Sequence, residues 1–306
     1  MNFKVLEKGI MVDLELINKI KRITIIALVQ DDELMETLIL KGGNAISLGY
    51  GLSERASYDL DFSMEDDFKE ELSVIQGRLK GTVEKTFASY DFVVMDFSIK
   101  ERPKTIRPGL EAFWGGYFLE FKLITQEKYN QFYPDKDKIT RNALALTPGN
   151  STKFTADISK FEYVGEHRVL KEIDGINFYV YAPELIVFEK VRALAQKLPE
   201  YATDILLSGN VYKDHERARP RDFFDIHAIL EYYPVDITSP AAKQTLAQVF
   251  EAKRVPPAYI KRIRSMKEIH RSGYDAVKST LSHAEKDLGF DFYFDYFMER
   301  FENIFD

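Results

Sequence analysis

Two aspartates spaced two apart, Asp59 and Asp61, lie in Tyr58-Asp59-Leu60-Asp61-Phe62, where acidic and apolar residues alternate. That period belongs to a half-buried strand, so both carboxylates project from one face while Tyr58, Leu60 and Phe62 project from the other. Like charges this close repel and push one pKa upward unless a cation lies between them. Mg²⁺ suits such a pair, because it prefers hard oxygen ligands and keeps open positions for water and phosphate. The chain has no cysteine, which removes thiolate ligands, disulfides and cysteine nucleophiles together. Upstream, the apolar run Leu38-Ile39-Leu40 ends in Lys41-Gly42-Gly43-Asn44, and helical spacing resumes through Ala45, Ile46 and Leu48. Strand, tight turn and helix in that order bring bare backbone N–H groups to a place where a phosphate meets no side chain. Lys41 and Arg55 add positive charge to the same neighbourhood, and the Asn44 amide offers a further donor to phosphate.

A two-metal site needs a third carboxylate from an adjacent strand, so that one ion activates the attacking oxygen and the other holds a triphosphate. Glu120 is the candidate, a charged residue inside Phe118-Leu119-Glu120-Phe121-Lys122-Leu123, with Asp96 in the partner strand as reserve. The metal ligands expected are therefore Asp59, Asp61 and Glu120. The competing reading of Glu120 is an edge-strand charge facing solvent.

The elements that must position these groups are legible in outline. Val12, Leu16, Ile20, Ile23 and Leu28 give a first helix, which Asp13 or a neighbour caps. A charged helix covers about residues 66–88, and Phe92–Ile99 with Tyr117–Ile124 form a hairpin. Residues 125–182 are mixed, with turns at Pro148-Gly149-Asn150 and Asp174-Gly175 and a strand at Phe178–Tyr181. Beyond Pro183 the pattern is helical: 184–197, 222–230 and several helices from about 243 onward. The chain reads as α+β, with a mixed sheet and flanking helices over residues 1–182 and a helical domain over 183–306 that completes the cleft.

At 306 residues and 45% hydrophobic content the chain buries proper cores. A net charge of −7 with both signs interspersed gives no global attraction to nucleic acid or anionic membrane, so any polyanion must meet a local basic patch. The segment 253–271 is such a patch, with Lys253, Arg254, Lys261, Arg262, Arg264, Lys267 and Arg271 against the single acid Glu268. It is either a solvated helix face or a docking surface for RNA phosphates. The first residues lack the apolar core of a signal peptide, and the run Ile23–Val29 is too short to span a bilayer. A cytoplasmic protein without membrane contact is expected. His167, His215, His227, His270 and His283 show no metal-ligand spacing and are read as structural.

The order strand, Gly-Gly turn, helix and Asp-x-Asp strand resembles the DNA polymerase β-like nucleotidyltransferase superfamily. Lys-Gly-Gly-Asn-Ala at 41–45 with Arg55-x-Ser57-x-Asp59-Leu60-Asp61-Phe62 looks like its AbiEii/AbiGii toxin branch. Glu189-Lys190-Val191-Arg192-Ala193-Leu194 and Arg221-Asp222-Phe223-Phe224-Asp225-Ile226 look like two later motifs of that branch. The resemblance implies that Gly42 and Gly43, with Lys41, Asn44, Arg55 and Ser57 around them, hold the nucleotide phosphates, that Asp59 and Asp61 hold metal, and that Lys190 contacts the triphosphate. It places Asp222 beside the active site, orienting Lys190 or the nucleophile. The chain departs from the family in having Asn44 where Thr or Ser is common, and in the fifteen residues between Gly43 and Asp59. Read from the residues alone, Lys190 has a solvated helix face as its alternative and Asp222 an N-cap role.

The implied activity is Mg²⁺-dependent transfer of a nucleoside monophosphate from an NTP to an acceptor hydroxyl, by the toxin of a type IV toxin–antitoxin or abortive-infection pair. A tRNA end is the leading acceptor, reached through segment 253–271, with a protein hydroxyl as the other, and a cognate antitoxin is the implied partner. Two alternatives stay open: a catalytically silent member that binds nucleotide or a partner protein, and a small-molecule transferase of the antibiotic-modifying kind.

Overall fold

The computed structural model describes residues 3–5, 11–52, 58–146, 150–207, 218–278, 281 and 287–306. A short antiparallel pair, β1 (Phe3–Val5) and β2 (Met11–Asp13), leads into α1 (Leu14–Val29). The Asp13 carboxylate accepts from the Leu16 N–H at 3.0 Å, which satisfies a donor that helix geometry leaves without a partner. After α2 (Asp32–Thr37) the chain enters β3 (Ile39–Lys41), turns through α3 (Gly42–Asn44) into a π-turn at Ala45–Gly49, and returns as β4 (Leu60–Ser63). Helix α4 (Leu72–Ala88) starts later than the charge pattern predicts, because residues 66–71 form bends rather than a helical turn.

The hairpin is found as β5 (Phe92–Arg102) and β6 (Gly116–Thr125), antiparallel and longer than the alternation indicated. Two short helices, α5 (Gln126–Phe132) and α6 (Lys136–Arg141), precede three strands, β7 (Lys153–Ser159), β8 (Arg168–Ile173) and β9 (Ile176–Tyr181). Of these only β9 was foreseen. The seven strands order as β5-β6-β7-β4-β3-β9-β8. The β7/β4 and β3/β9 pairs are parallel and the rest antiparallel, so the sheet is mixed and the class is α+β. β4 stands at its centre.

From Pro183 the chain is helical, with α7 (Pro183–Ala195), α8 (Pro220–Tyr232), α9 (Pro240–Glu251), α10 (Tyr259–Arg262), α11 (Lys267–Ser272), α12 (Asp275–Lys278) and α13 (Phe290–Phe301). Proline occupies the start of α7, α8 and α9, where its missing N–H costs no hydrogen bond. α7 is buried almost all round, through Leu185, Val187, Phe188, Val191 and Leu194, because the sheet packs on one side of it and α8, α9 and α10 on others. One apolar cluster runs continuously from the sheet through α7 into the helical part. Residue 183 therefore marks a change of class within one core. Among the described residues no helix is long and apolar enough to cross a membrane.

Candidate active site

Strand register sets charged side chains in a row. Lys41 pairs with Asp61 and Asp61 with Asp157, and residues paired across neighbouring strands share a face. The three stand side by side at mid-sheet. Gly42 follows at once with φ +68°, and a methyl group added there would lie 2.7 Å from Asp61 Oδ2. The backbone conformation and the close approach each demand glycine. Gly42→Ala is expected to cost about 1–2 kcal/mol of stability through left-handed strain alone, and to push the Asp61 carboxylate out of line. Thermal unfolding and transfer assays on the same preparation would register both effects.

Burial raises the Asp61 carboxyl to about 6, with Glu189, Asp157 and Asp59 adding to the rise against the pull of Lys41. Asp157 is likewise raised by burial, with Asp59 adding and Arg102 opposing. Burial works against the charge on Lys41, but Glu162 and Glu189 outweigh it and hold the ammonium above the ordinary lysine value. Lys41 Nζ donates to Ser159 Oγ at 3.2 Å and to Glu162 and Glu189 at 3.4 Å each. Beneath this row lies a buried ionic hub. Glu162, 5% exposed, meets Arg192 at 2.5 Å, Lys41 at 3.4 Å and Lys253 at 3.6 Å. Lys253 also donates to the carbonyls of Phe113, at 3.1 Å, and Lys160. It ties the end of α9 to the sheet.

Opposite the strands, α7 and α8 present a second charged group. Lys190, 4% exposed, contacts Asp222 at 3.1 Å and Asp225 at 2.8 Å. Burial opposes its charge, yet Asp225 and Asp222 raise it above the usual lysine value. Asp222 is shared with the Arg219 guanidinium. Lys190 therefore does not lie on an outer solvated face: it is buried in the wall that α7 turns toward the cleft. Asp222 is no N-cap either: Arg219 holds that position without a side-chain cap, and Asp222 lies three residues on. A cleft of about 1010 Å³ separates the two groups, lined by Gly42, Gly43, Asp61, Asp157, Glu189, Lys190, Arg219 and Asp222 among others.

Several expected residues sit elsewhere. Glu120 shares the sheet face of the acids but pairs with Thr155 on the far side of β7, and Lys153 (2.8 Å) and Lys100 (3.3 Å) engage its carboxylate. It does not line the cleft. Asp157 takes the place beside Asp61 because β7, not β6, is the neighbour of β4. Asp96, the reserve, lies in the bulge between Met95 and Ser98, exposed and bound to Lys122 at 2.8 Å. Asn44 is fully buried and its amide donates to the Asp59 carbonyl, so it ties the glycine turn to the acidic strand and does not reach the cleft. Asp59, by contrast, stays beside the acidic pair: it precedes β4, is exposed, accepts from the Thr155 hydroxyl, and its charge raises both Asp61 and Asp157. Arg55, Ser57, His215 and His283 lie outside the described residues.

The basic segment is folded against acids from other parts of the chain. Lys253 is interior and Arg254 stacks on Phe113 at 4.2 Å. Lys261 pairs with Asp306, Arg262 with Glu200, Arg264 with Glu302, Lys267 with Asp291 and Asp295, and Arg271 with Asp291 and Glu268. These are surface pairs, with the Lys261, Arg262 and Arg264 side chains still about half exposed. His270 is buried, accepts from the Arg219 N–H at 3.0 Å, and is pushed down to about 4 by desolvation. It is a neutral structural group.

Sequence reasoning missed Asp157, Glu162 and Lys253 as parts of this site, and gave Glu189 no role of its own. Asp157 left a readable trace, since Phe154, Ala156 and Ile158 alternate with polar residues in Lys153–Ser159. Among the described residues no three carboxylates or imidazoles converge closely enough to cage an ion as they stand. The donor chemistry nevertheless fits a hard cation, because Asp61 and Asp157 are adjacent, desolvated and mutually repelling.

The cleft thus sets an acidic mid-sheet face, with a glycine turn pressed against it, opposite a helical wall of paired lysine, arginine and aspartate side chains. Residues 26–306 match the family described as nucleotidyl transferase AbiEii toxin, type IV TA system, and the chain belongs to that family. It is thus a nucleotidyltransferase of the toxin class. The chain also aligns with the crystal structure of JHP933 from Helicobacter pylori, at TM-score 0.44 and 16% identity over 94% of this chain and 91% of that one. A second alignment is to an antigenic nucleotidyltransferase-like protein from Paracoccidioides brasiliensis, at TM-score 0.33 and 16% identity over 79% and 93%. No curated protein matches the sequence.

Proposed function

We propose that the protein moves a nucleoside monophosphate from an NTP to the hydroxyl of an RNA 3′ end, tRNA first among them, as the toxin of a pair with a cognate antitoxin. The observation that carries this is the single cleft that sets Asp61 and Asp157, with the Gly42-Gly43 turn, against Lys190 and Asp222. Its volume of about 1010 Å³ is at the upper end of the range of about 300–1,000 Å³ usual for ligand sites, which leaves room for a nucleotide and the end of an acceptor together.

Asp61 and Asp157, with Asp59, would hold Mg²⁺, which when bound supplies charge neutralisation and activates the attacking hydroxyl. The chain's own groups do the rest. Gly42 and Gly43 admit phosphates to the backbone, and Lys190, fixed by Asp222 and Asp225, keeps a permanent positive charge on the opposite wall to meet the triphosphate. Lys41, the register partner of Asp61, attracts its carboxylate, while Glu189 repels it.

Incubation with each α-³²P-labelled NTP, Mg²⁺ and total tRNA tests this reading, beside an Asp59→Ala/Asp61→Ala control. Label on RNA with the wild type alone is expected. Because segment 253–271 is paired with acids along its length, a small hydroxyl acceptor is the second reading. Label that leaves the RNA fraction and appears in a low-mass product of cell extract would establish it. Absence of label under all conditions, with NTP still bound, would instead make the protein a silent binder.

A further inference from the structure

Arg102, the last residue of β5, lies at the rim of the cleft. Its guanidinium rests over the Phe118 ring at 5.1 Å and reaches Asp157 Oδ1 at 2.9 Å. Phe118 is the register partner of Asp157, so the arginine crosses one strand to arrive at a carboxylate that stands beside Asp61. The arginine side chain is 62% exposed and that of Asp157 38%, so the pair is held on one side only and the guanidinium has open space in which to move. A divalent cation bound by Asp157 would face a guanidinium charge within hydrogen-bond distance of the same carboxylate, and the two repel. The same planar fork matches a phosphoryl group, and the cleft it borders is where the triphosphate enters.

We propose that Arg102 is a positioning residue that occupies Asp157 in the bare site and transfers to a phosphoryl oxygen of the nucleotide once the cation is bound. This rests on the reading of Asp157 as a metal-holding carboxylate. Arg102 thereby opposes the cation when it comes alone and favours it when it comes with nucleotide. No bond is made or broken, only one ion pair exchanged for another.

The test uses the full chain and Mn²⁺, followed by the electron paramagnetic resonance of the unbound ion, with and without a non-hydrolysable ATP analogue. Arg102→Ala is expected to tighten Mn²⁺ alone by about two- to fivefold, the release of one exposed ion pair, and to weaken the Mn²⁺-dependent binding of the analogue by about tenfold, the loss of charge-assisted hydrogen bonds. Arg102→Lys keeps the charge without the fork, so Mn²⁺ affinity should stay near that of the wild type while analogue binding still falls. An Arg102→Ala variant that binds Mn²⁺ no better than the wild type overturns the proposal. Asp157→Asn separates the two layers. Loss of Mn²⁺ in that variant with no gain in Arg102→Ala removes the role of Arg102 alone, whereas wild-type Mn²⁺ binding by Asp157→Asn removes the metal reading of Asp157 and this proposal with it.

Discussion

Asp61→Asn is expected to abolish nucleotidyl transfer and to leave a protein that unfolds at a higher temperature near neutral pH. Loss of activity by about 10³-fold or more is expected for removal of a charge that stabilises the reacting phosphate through a bound cation. The gain in stability follows from the environment of the carboxylate. Burial, with Glu189, Asp157 and Asp59 nearby, raises the Asp61 carboxyl from 3.8 to about 6, so the folded state holds its proton more tightly than the unfolded one. Such a group favours folding as pH falls from about 6 toward 3.8, and above about 6 its ionised form is a burden that the amide removes. After allowance for screening by the open cleft the relief is about 1–2 kcal/mol. Differential scanning calorimetry at pH 7.5 and pH 4.5 checks the sign: the variant should lead at the higher pH and lose its lead at the lower. A variant that is inactive and also less stable at pH 7.5 would mean that Asp61 holds the sheet together rather than straining it.

Glu162→Gln should be the most destabilising conservative change in the molecule. The glutamate is the shared counter-ion of Lys41, Arg192 and Lys253, all buried, and an amide of the same shape leaves Glu189 as the one remaining carboxylate on Lys41 and Arg192 among the described contacts, at a cost of about 3–5 kcal/mol. A chain of this size should melt on the order of 10 °C lower. Burial opposes ionisation of Glu162, but Arg192, Lys41 and Lys253 outweigh it and hold its pKa well below the ordinary carboxylate range. Its contribution is complete above the unfolded value of about 4.5 and is lost as pH falls through the depressed folded value. The wild type should therefore converge on the variant in strongly acidic solution, as urea midpoints measured between pH 7 and pH 3 would reveal. Equal midpoints at pH 7 would show that the hub carries no net stability.

Local patterns made half of this site readable. Alternation exposed the Asp59/Asp61 pair, and two glycines after an apolar run marked the turn that now lies against Asp61. The third carboxylate went to Glu120 because β6 is the more obviously apolar strand, yet neighbours in a sheet are set by topology. The parallel pairing of β4 with β7 joins Asp61 to Asp157, 96 residues later, and local spacing carries no record of such a pairing. The counter-ions of the basic segment were hidden for the same reason. Lys267 meets an acid 28 residues away, Lys261 one 45 residues away and Arg262 one 62 residues away, so a run of positive charge in the sequence became a neutral surface in the fold. Lys190 and Asp222 were placed correctly relative to each other by motif resemblance, while their burial came from packing on every side of α7.

The distance along the chain between the two central acids also bears on when in synthesis the site is completed. Translation at about 5–20 residues per second separates the appearance of Asp61 from that of Asp157 by roughly 5–20 s, and Lys190, Asp222 and Lys253 emerge later still. No amino-terminal fragment that ends before α8 contains both walls of the cleft. The cleft is therefore complete only late in synthesis, seconds after its central strand has been made.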